Sequence, residues 1–221
     1  MTDNLKSALY YDKHVAEISQ QYLSVNFEDV HAQWLHLLPT LLNKSSLAIL
    51  DVGAGPGRDI SYLYSQAVSC LGDATKLGHF IAAEPSHYLR KVGREYTQQQ
   101  SIKWIDDSLP ELEITRSLKV RFDLILLSAV WMHIPVSQRS RALKNLSSLL
   151  KHDGFIVMSL KQRMTEEEQD KRAMYPVSVS EVEELSSQAG LTCEIMIQAS
   201  SDALNREGVY WETLVLIKSG S

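Results

Sequence analysis

Cysteine is scarce. The 221-residue chain has two, Cys70 and Cys193, and neither belongs to a CxxC or other metal-ligand spacing. A disulfide framework is excluded, no metal site is expected, and the chain fits a reducing compartment. Net positive charge is lacking too: 22 Lys and Arg face 27 Asp and Glu, for a formal charge of −5. A protein that lives on duplex phosphate is normally basic, so nucleic acid is disfavoured as a partner. Long hydrophobic runs are missing. The longest, residues 124–135, is interrupted by Ser128 and His133 and falls well short of the roughly 20 residues of a membrane span. The N-terminal MTDNLKSALYYDKH has no apolar stretch and carries Asp3 and Asp12, unlike a signal or transit peptide. There is no internal repeat and no low-complexity tract. The expectation is a cytoplasmic protein with no membrane partner.

What is present is an ordinary globular balance, 44% hydrophobic and 22% charged, enough for one domain with a sizeable core. The first part reads as helical. Residues 7–22 carry Tyr10, Val15, Ile18 and Tyr22 at helical spacing. Asn26 can cap a second helix bearing Val30, Trp34, Leu37, Leu38 and Leu41, which Pro39 should kink or end. From Leu47 onward, strands alternate with helices. Strands are expected at 47–52, 79–83, 101–105, 122–127 and 155–160. Helices are expected at 57–68, from the cap Ser86 to about Gln100, from Ser137, and from an S-x-x-E box at Ser180 and Glu183 to Gly190. Residues 191–198 and 209–218 read as two last strands with no room for a helix between them, hence antiparallel. The charged run 161–173 reads as a solvated loop or short surface helix. Because it follows a strand's carboxyl end, part of it can fold over the site as a lid. Residues 1–45 form a helical cap and 46–221 a core, together one domain. The core is a doubly wound α/β sheet of about seven strands, and function is to be sought at the carboxyl ends of its strands.

The strongest local signal is ILDVGAGPGRD at 49–59, where Gly53, Gly55 and Gly57 follow a buried strand and open a helix. A dinucleotide loop wants G-x-G-x-x-G/A, but the sixth position here is Arg58, and Pro56 removes an N–H from the loop. Asp51, two residues before the first glycine, would repel a pyrophosphate and attract a sulfonium or α-ammonium. No G-K-[ST] follows, which excludes a Walker loop.

Residues 49–57 resemble motif I of class I S-adenosylmethionine-dependent methyltransferases. IAAEPS, WIDDSLPEL, FDLILLSAVWMHIP and LLKHDGFIVMSLK resemble the later motifs in order. With YD…HAQWLHLLP and SSDALNREGVYWETLVLIK, nearly the whole chain is similar to a group of small stand-alone bacterial methyltransferases. Two features depart from the pattern. CLGDATKLGH is long and should add a surface loop, and Ser128 stands where many such enzymes have Asp or Asn. The [ND]-PP-[YF] signature of many nucleic-acid amino-methylases is absent.

The resemblance implies S-adenosyl-L-methionine as cofactor and a Rossmann-like fold. It assigns Asp51, the three glycines and Arg58 to the methionine end, with Arg58 able to meet the carboxylate. Glu84, 27 residues after Gly57, is placed to accept from both ribose hydroxyls. Asp106 and Asp107 sit at the adenine edge in a register uncertain by one. Asp107 is preferred, with the Ser108 backbone as donor. Ser128 and Ala129 lie beside the methionine part. His133, on the loop leaving the motif IV strand, is a candidate base toward the acceptor, and Tyr11 a candidate contact from the cap. Arg206 and Trp211 are expected to line the acceptor pocket, unless the hairpin carries them to the far edge.

The expected reaction is in-line transfer of a methyl group to an oxygen or nitrogen of a small-molecule or protein acceptor. Two other classes stay open at this point. One is a non-catalytic cofactor-binding or partner-regulating domain, the other a nicotinamide- or flavin-binding oxidoreductase.

Overall fold

The computed structural model describes residues 3–204, 206 and 208–218. It begins with the helices α1 (Asp3–Lys13), α2 (Val15–Leu23), α3 (Phe27–His31) and α4 (Leu38–Leu42). Alternation then runs through β1 (Ile49–Val52), α5 (Arg58–Leu71), β2 (Phe80–Ala83), α6 (His87–Tyr96), β3 (Ile102–Ile105) and α7 (Glu113–Ser117). It continues through β4 (Phe122–Leu127), α8 (Val136–Leu149) and β5 (Leu150–Gln162). After α9 (Glu166–Arg172) and α10 (Val179–Gln188) come β6 (Leu191–Ser201) and β7 (Tyr210–Lys218).

The strands form one seven-stranded sheet in the order β3-β2-β1-β4-β5-β7-β6. The first five strands in that order pair in parallel, while β7 runs antiparallel to both β5 and β6. This is the expected doubly wound, Rossmann-like sheet with an antiparallel last pair. Every residue of β1, β2 and β4 is buried, because helices cover both faces. On one face Leu50, Ile81 and Ile125 pack with Leu143 and Leu146 of α8 and Val182 of α10. On the other, Ile49, Ala82 and Leu126 pack with Ile60 and Leu63 of α5 and with Trp34 and Leu41 of the cap. The chain order reverses between β1 and β4, which opens a crevice at their carboxyl ends.

Local differences from the sequence reading have local causes. The first expected helix is two, broken at His14 (φ −111, ψ 22). Just before the break, the Asp12 carboxylate accepts from Ser86 Oγ at 2.6 Å and Tyr88 N at 3.0 Å, fixing α1 to the start of α6. Asn26 occupies an N-cap position, but its amide donates to Asp29 instead of capping. Pro39 opens α4, where its missing N–H costs nothing, rather than ending a helix. The cap of α10 is Ser178, which accepts from Glu181 N, while Glu181's carboxylate takes the buried Arg139. The charged run forms α9 behind a Thr165–Glu168 capping box. Among the described residues, no helix is long and apolar enough to cross a membrane.

Candidate active site

The loop after β1 is tied to the end of β2. Gly53 N and Ala54 N both donate to Ala83 O, at 2.7 and 3.2 Å. Gly53 has φ +68, and a Cβ there would stand 2.6 Å from Val130 Cγ2. Gly57, at φ +91, faces the Trp104 ring, which a Cβ would approach to 2.9 Å. Both positions therefore need glycine twice over, for the left-handed backbone and for the close approach.

Glu84 follows β2 and is buried. Its two oxygens accept from Gly55 N and Ser86 N, each at 2.8 Å. Burial nevertheless raises its carboxyl to about 7. Asp51 is also buried, and its Oδ2 has no hydrogen-bond partner among the described residues. Burial, and after it the negative charge of Asp59, pushes Asp51 well above the usual carboxylate range. Asp59 itself goes the other way. Burial opposes its ionisation, but His31, with Nε2 at 3.0 Å, and Arg58 outweigh that and hold it well below. Arg58 gives Nε and Nη2 to Asp59 at 2.6 and 3.0 Å, and Nη1 to Tyr22 O at 3.3 Å.

Two cavities lie at the crevice. The smaller, about 730 Å³, is bounded by Glu84, Pro85, Asp107, Ser108, Tyr11 and His133, with Leu89, Leu109 and Ile134 as apolar wall. The larger, about 1040 Å³, runs from Asp51, Gly55 and Arg58 to Lys161, Arg172, Arg206 and Trp211. Tyr22, Gly53, Ser128 and Ala129 border both, so the two adjoin at the switch point. Each volume suits roughly one small molecule.

The expected residues are distributed as follows. Asp106 borders neither cavity; its exposed carboxylate pairs with Arg90 Nη2 at 2.7 Å. Asp107 borders the smaller cavity, with Oδ2 accepting from Thr115 N and Oγ1 and Oδ1 accepting from Ser108 N at 3.1 Å. The Ser108 N–H is thus engaged locally. Ala129 has φ +59, and its N–H donates to Ser159 Oγ at 2.8 Å. Arg206 and Trp211 face the larger cavity, and the hairpin does not carry them away. Asp202 holds both: it accepts from Arg206 Nε and Nη2 at 2.8 and 2.7 Å, and from Trp211 Nε1 at 2.8 Å.

His133 borders the smaller cavity only. Its Nδ1 lies 3.1 Å from Arg172 O, a pure acceptor, so Nδ1 carries the proton. Nε2 then accepts from the Tyr11 hydroxyl at 3.2 Å. Burial lowers the imidazole to about 4, so it is neutral at physiological pH. The expected base therefore has Tyr11 in front of its free lone pair rather than the larger cavity.

A family model described as "Methyltransferase domain" matches residues 27–194, about three quarters of the chain and all of the sheet except β7 and part of β6. The chain belongs to the methyltransferase domain family. The match takes in the glycine loop, Glu84, Asp107 and His133, and leaves α1 and the 202–211 hairpin outside it. A protein of Alkaliphilus oremlandii (strain OhILAs) described as an uncharacterized methyltransferase is 24% identical over 164 residues, 74% of this chain and 67% of that one. Among solved structures, magnesium protoporphyrin IX methyltransferase from Synechocystis PCC 6803 with bound SAM has a TM-score of 0.65 at 14% identity, covering 99% and 98% of the two chains. The 1,6-didemethyltoxoflavin-N1-methyltransferase of Burkholderia thailandensis has a TM-score of 0.64 at 17% identity, covering 94% and 90%.

The larger cavity is also lined by residues that sequence reasoning did not single out: Tyr22, Lys161, Arg172 and Asp202. Lys161 and Arg172 bracket the charged run whose place after a strand's carboxyl end was the available signal. Tyr22 and Asp202 gave none, because each is defined by partners distant in sequence.

Proposed function

We propose that this methyltransferase uses S-adenosyl-L-methionine to methylate an oxygen or nitrogen of a small-molecule acceptor. The observation that carries this reading is the pair of adjoining cavities, joined at Gly53, Ser128 and Ala129, with Glu84 and Asp107 on the smaller, Asp51 and Arg58 on the larger, and the rest of the larger cavity beyond them.

The residues present fit the cofactor. Asp51 supplies an orphaned carboxylate oxygen for an ammonium or sulfonium charge. Glu84 would supply acceptors for ribose hydroxyls, and Asp107 and Ser108 would border the adenine edge, with Leu89 and Leu109 lining the same cavity. Arg58 stands at the methionine end, its charge shared with Asp59. When bound, the cofactor supplies a methyl group activated by the sulfonium.

The chain's part is to align and to exclude water. Ser128 and Ala129 set the backbone at the junction, and the Ala129 N–H bond to Ser159 locks that bend. Tyr11 and Tyr22 close the cavity from the cap. His133 is a positioning residue: it holds Tyr11 through Nε2 while Arg172 O fixes its tautomer. An acceptor that ionises near neutral pH needs no base. The acid balance of the chain and the concave chamber support a small molecule over a nucleic acid.

The test is untargeted. Methyl-labelled cofactor supplied with the protein to a whole source lysate should label a discrete compound in its small-molecule fraction. Label confined to the macromolecular fraction contradicts the reading.

A further inference from the structure

The larger cavity has two electrostatic poles. At the glycine-loop end stands Asp51, whose Oδ2 has no hydrogen-bond partner among the described residues. Toward β5 and β7 stand Lys161 and Arg206, and Arg172 lines the same cavity. Lys161 is buried and cancelled by Glu168. Arg206 is cancelled by the two-pronged contact with Asp202. Arg172, half-buried at the last turn of α9, pairs with no carboxylate among the described residues. Its guanidinium lies over the Tyr10 ring, 5.1 Å from the centroid, and its neighbours are the phenols of Tyr10, Tyr11 and Tyr22. Glu167 and Glu168, one turn back, feel its charge, but they are bonded to Lys171 and Lys161.

Arg172 is also held firmly. Lys161 anchors the first turn of α9. At the other end Ala173 and Met174 are buried, Tyr175 N donates to Met132 O at 2.7 Å, and the Arg172 carbonyl takes the His133 ring. The Tyr10 side chain takes one hydrogen bond from the guanidinium, which leaves further edge donors for a planar ligand. A second orphan lies in the same cavity wall: Gln33 Oε1 is buried without a hydrogen-bond partner among the described residues. It asks for a ligand donor.

We propose that Arg172, rather than Arg206, binds an anionic group on the methyl acceptor, and that the acceptor is a small molecule bearing a carboxylate. This rests on the reading of the larger cavity as the acceptor chamber. One uncompensated cation matches one negative charge. A phosphate monoester would bring nearly two and leave one unpaired in a partly desolvated chamber. The neutral Arg206–Asp202–Trp211 group is then wall, and Gln33 receives a hydroxyl or amine of the same molecule.

The test uses the full chain loaded with S-adenosylhomocysteine, titrated by calorimetry with paired probes. These are benzoate, 4-hydroxybenzoate and indole-3-acetate, each against its primary amide, with phenyl phosphate as a further arm. At least one carboxylate should bind about tenfold or more tightly than its amide and than phenyl phosphate. Arg172→Gln should abolish that preference, and Arg172→Lys should weaken it. Acids and amides binding alike, no carboxylate binding, or a preference that survives both substitutions overturns the proposal. Tighter binding of phenyl phosphate overturns the carboxylate assignment. The loading step separates the two readings: failure of wild type to bind S-adenosylhomocysteine removes the methyltransferase reading itself. A negative probe result on loaded protein removes only the role of Arg172.

Discussion

Tyr11 on the first helix meets His133 on the loop after β4, hydroxyl to Nε2 at 3.2 Å, across 122 positions of sequence. Ser7 adds a contact to the same ring at 3.2 Å, and Asp12 ties the helix to α6. The cap is thereby latched over the smaller cavity by polar contacts from two sides. Tyr11→Phe removes the hydroxyl and leaves the ring in place. We expect a destabilisation of about 1 kcal/mol in urea unfolding, and faster release of S-adenosylhomocysteine in stopped-flow measurements. An unchanged release rate denies the latch.

Two buried groups near the latch pull on stability in opposite directions with pH. Glu84, raised to about 7 from 4.5, favours the fold most below its ordinary value, and that contribution is lost as pH rises through about 7. His133, lowered to about 4 from 6.5, costs nothing above 6.5 and increasingly destabilises the fold as pH falls toward 4. Asp51, also raised, acts in the same sense as Glu84. Urea midpoints of the cofactor-free protein at pH values between these limits should therefore rise more steeply with pH in Glu84→Gln than in wild type. They should rise less steeply, or fall, in His133→Asn. Equal slopes in all three proteins contradict the burial argument.

Cofactor affinity should carry the Glu84 signature. Hydroxyl donors favour the ionised carboxylate, so binding releases a proton when the free group is partly protonated. The dissociation constant for S-adenosylhomocysteine should fall as pH rises from about 6 to about 8, with calorimetric proton release in buffers of different ionisation enthalpy. Glu84→Gln should weaken binding by about 1–3 kcal/mol and flatten the pH profile. A profile that keeps its slope in the variant assigns the proton elsewhere.

The neighbouring aspartates give a sharper contrast. Asp107 faces the cavity and Asp106 faces Arg90 and solvent. Asp107→Ala should weaken S-adenosylhomocysteine binding by about 1–2 kcal/mol, and Asp106→Ala by much less. The reverse order means that the adenine edge lies on the other side of β3.

Much of the fold was legible because it rests on local signals. Continuous apolar runs marked β1 and β4, and glycines at Gly53 and Gly57 marked a loop that only left-handed backbone can make. The site was legible where it follows a strand end, as at Glu84. The choice between Asp106 and Asp107 was not, because side chains alternate along an extended chain and one residue of register reverses them. Nor were the cap contacts, since Ser7 and His133 are 126 residues apart. Arg206 read as a free cation because its partner Asp202 is set by hairpin geometry. Arg172 was hidden in a run in which Lys161 pairs with Glu168 and Lys171 with Glu167.

We propose that the glycine loop and Glu84 hold S-adenosylmethionine rather than a dinucleotide. Calorimetry of the purified protein against S-adenosylhomocysteine and against NADH tests it most directly. We predict saturable one-site binding of S-adenosylhomocysteine and no heat with NADH. No heat and no thermal shift with millimolar S-adenosylhomocysteine, or saturable binding of NADH in its place, would contradict the account.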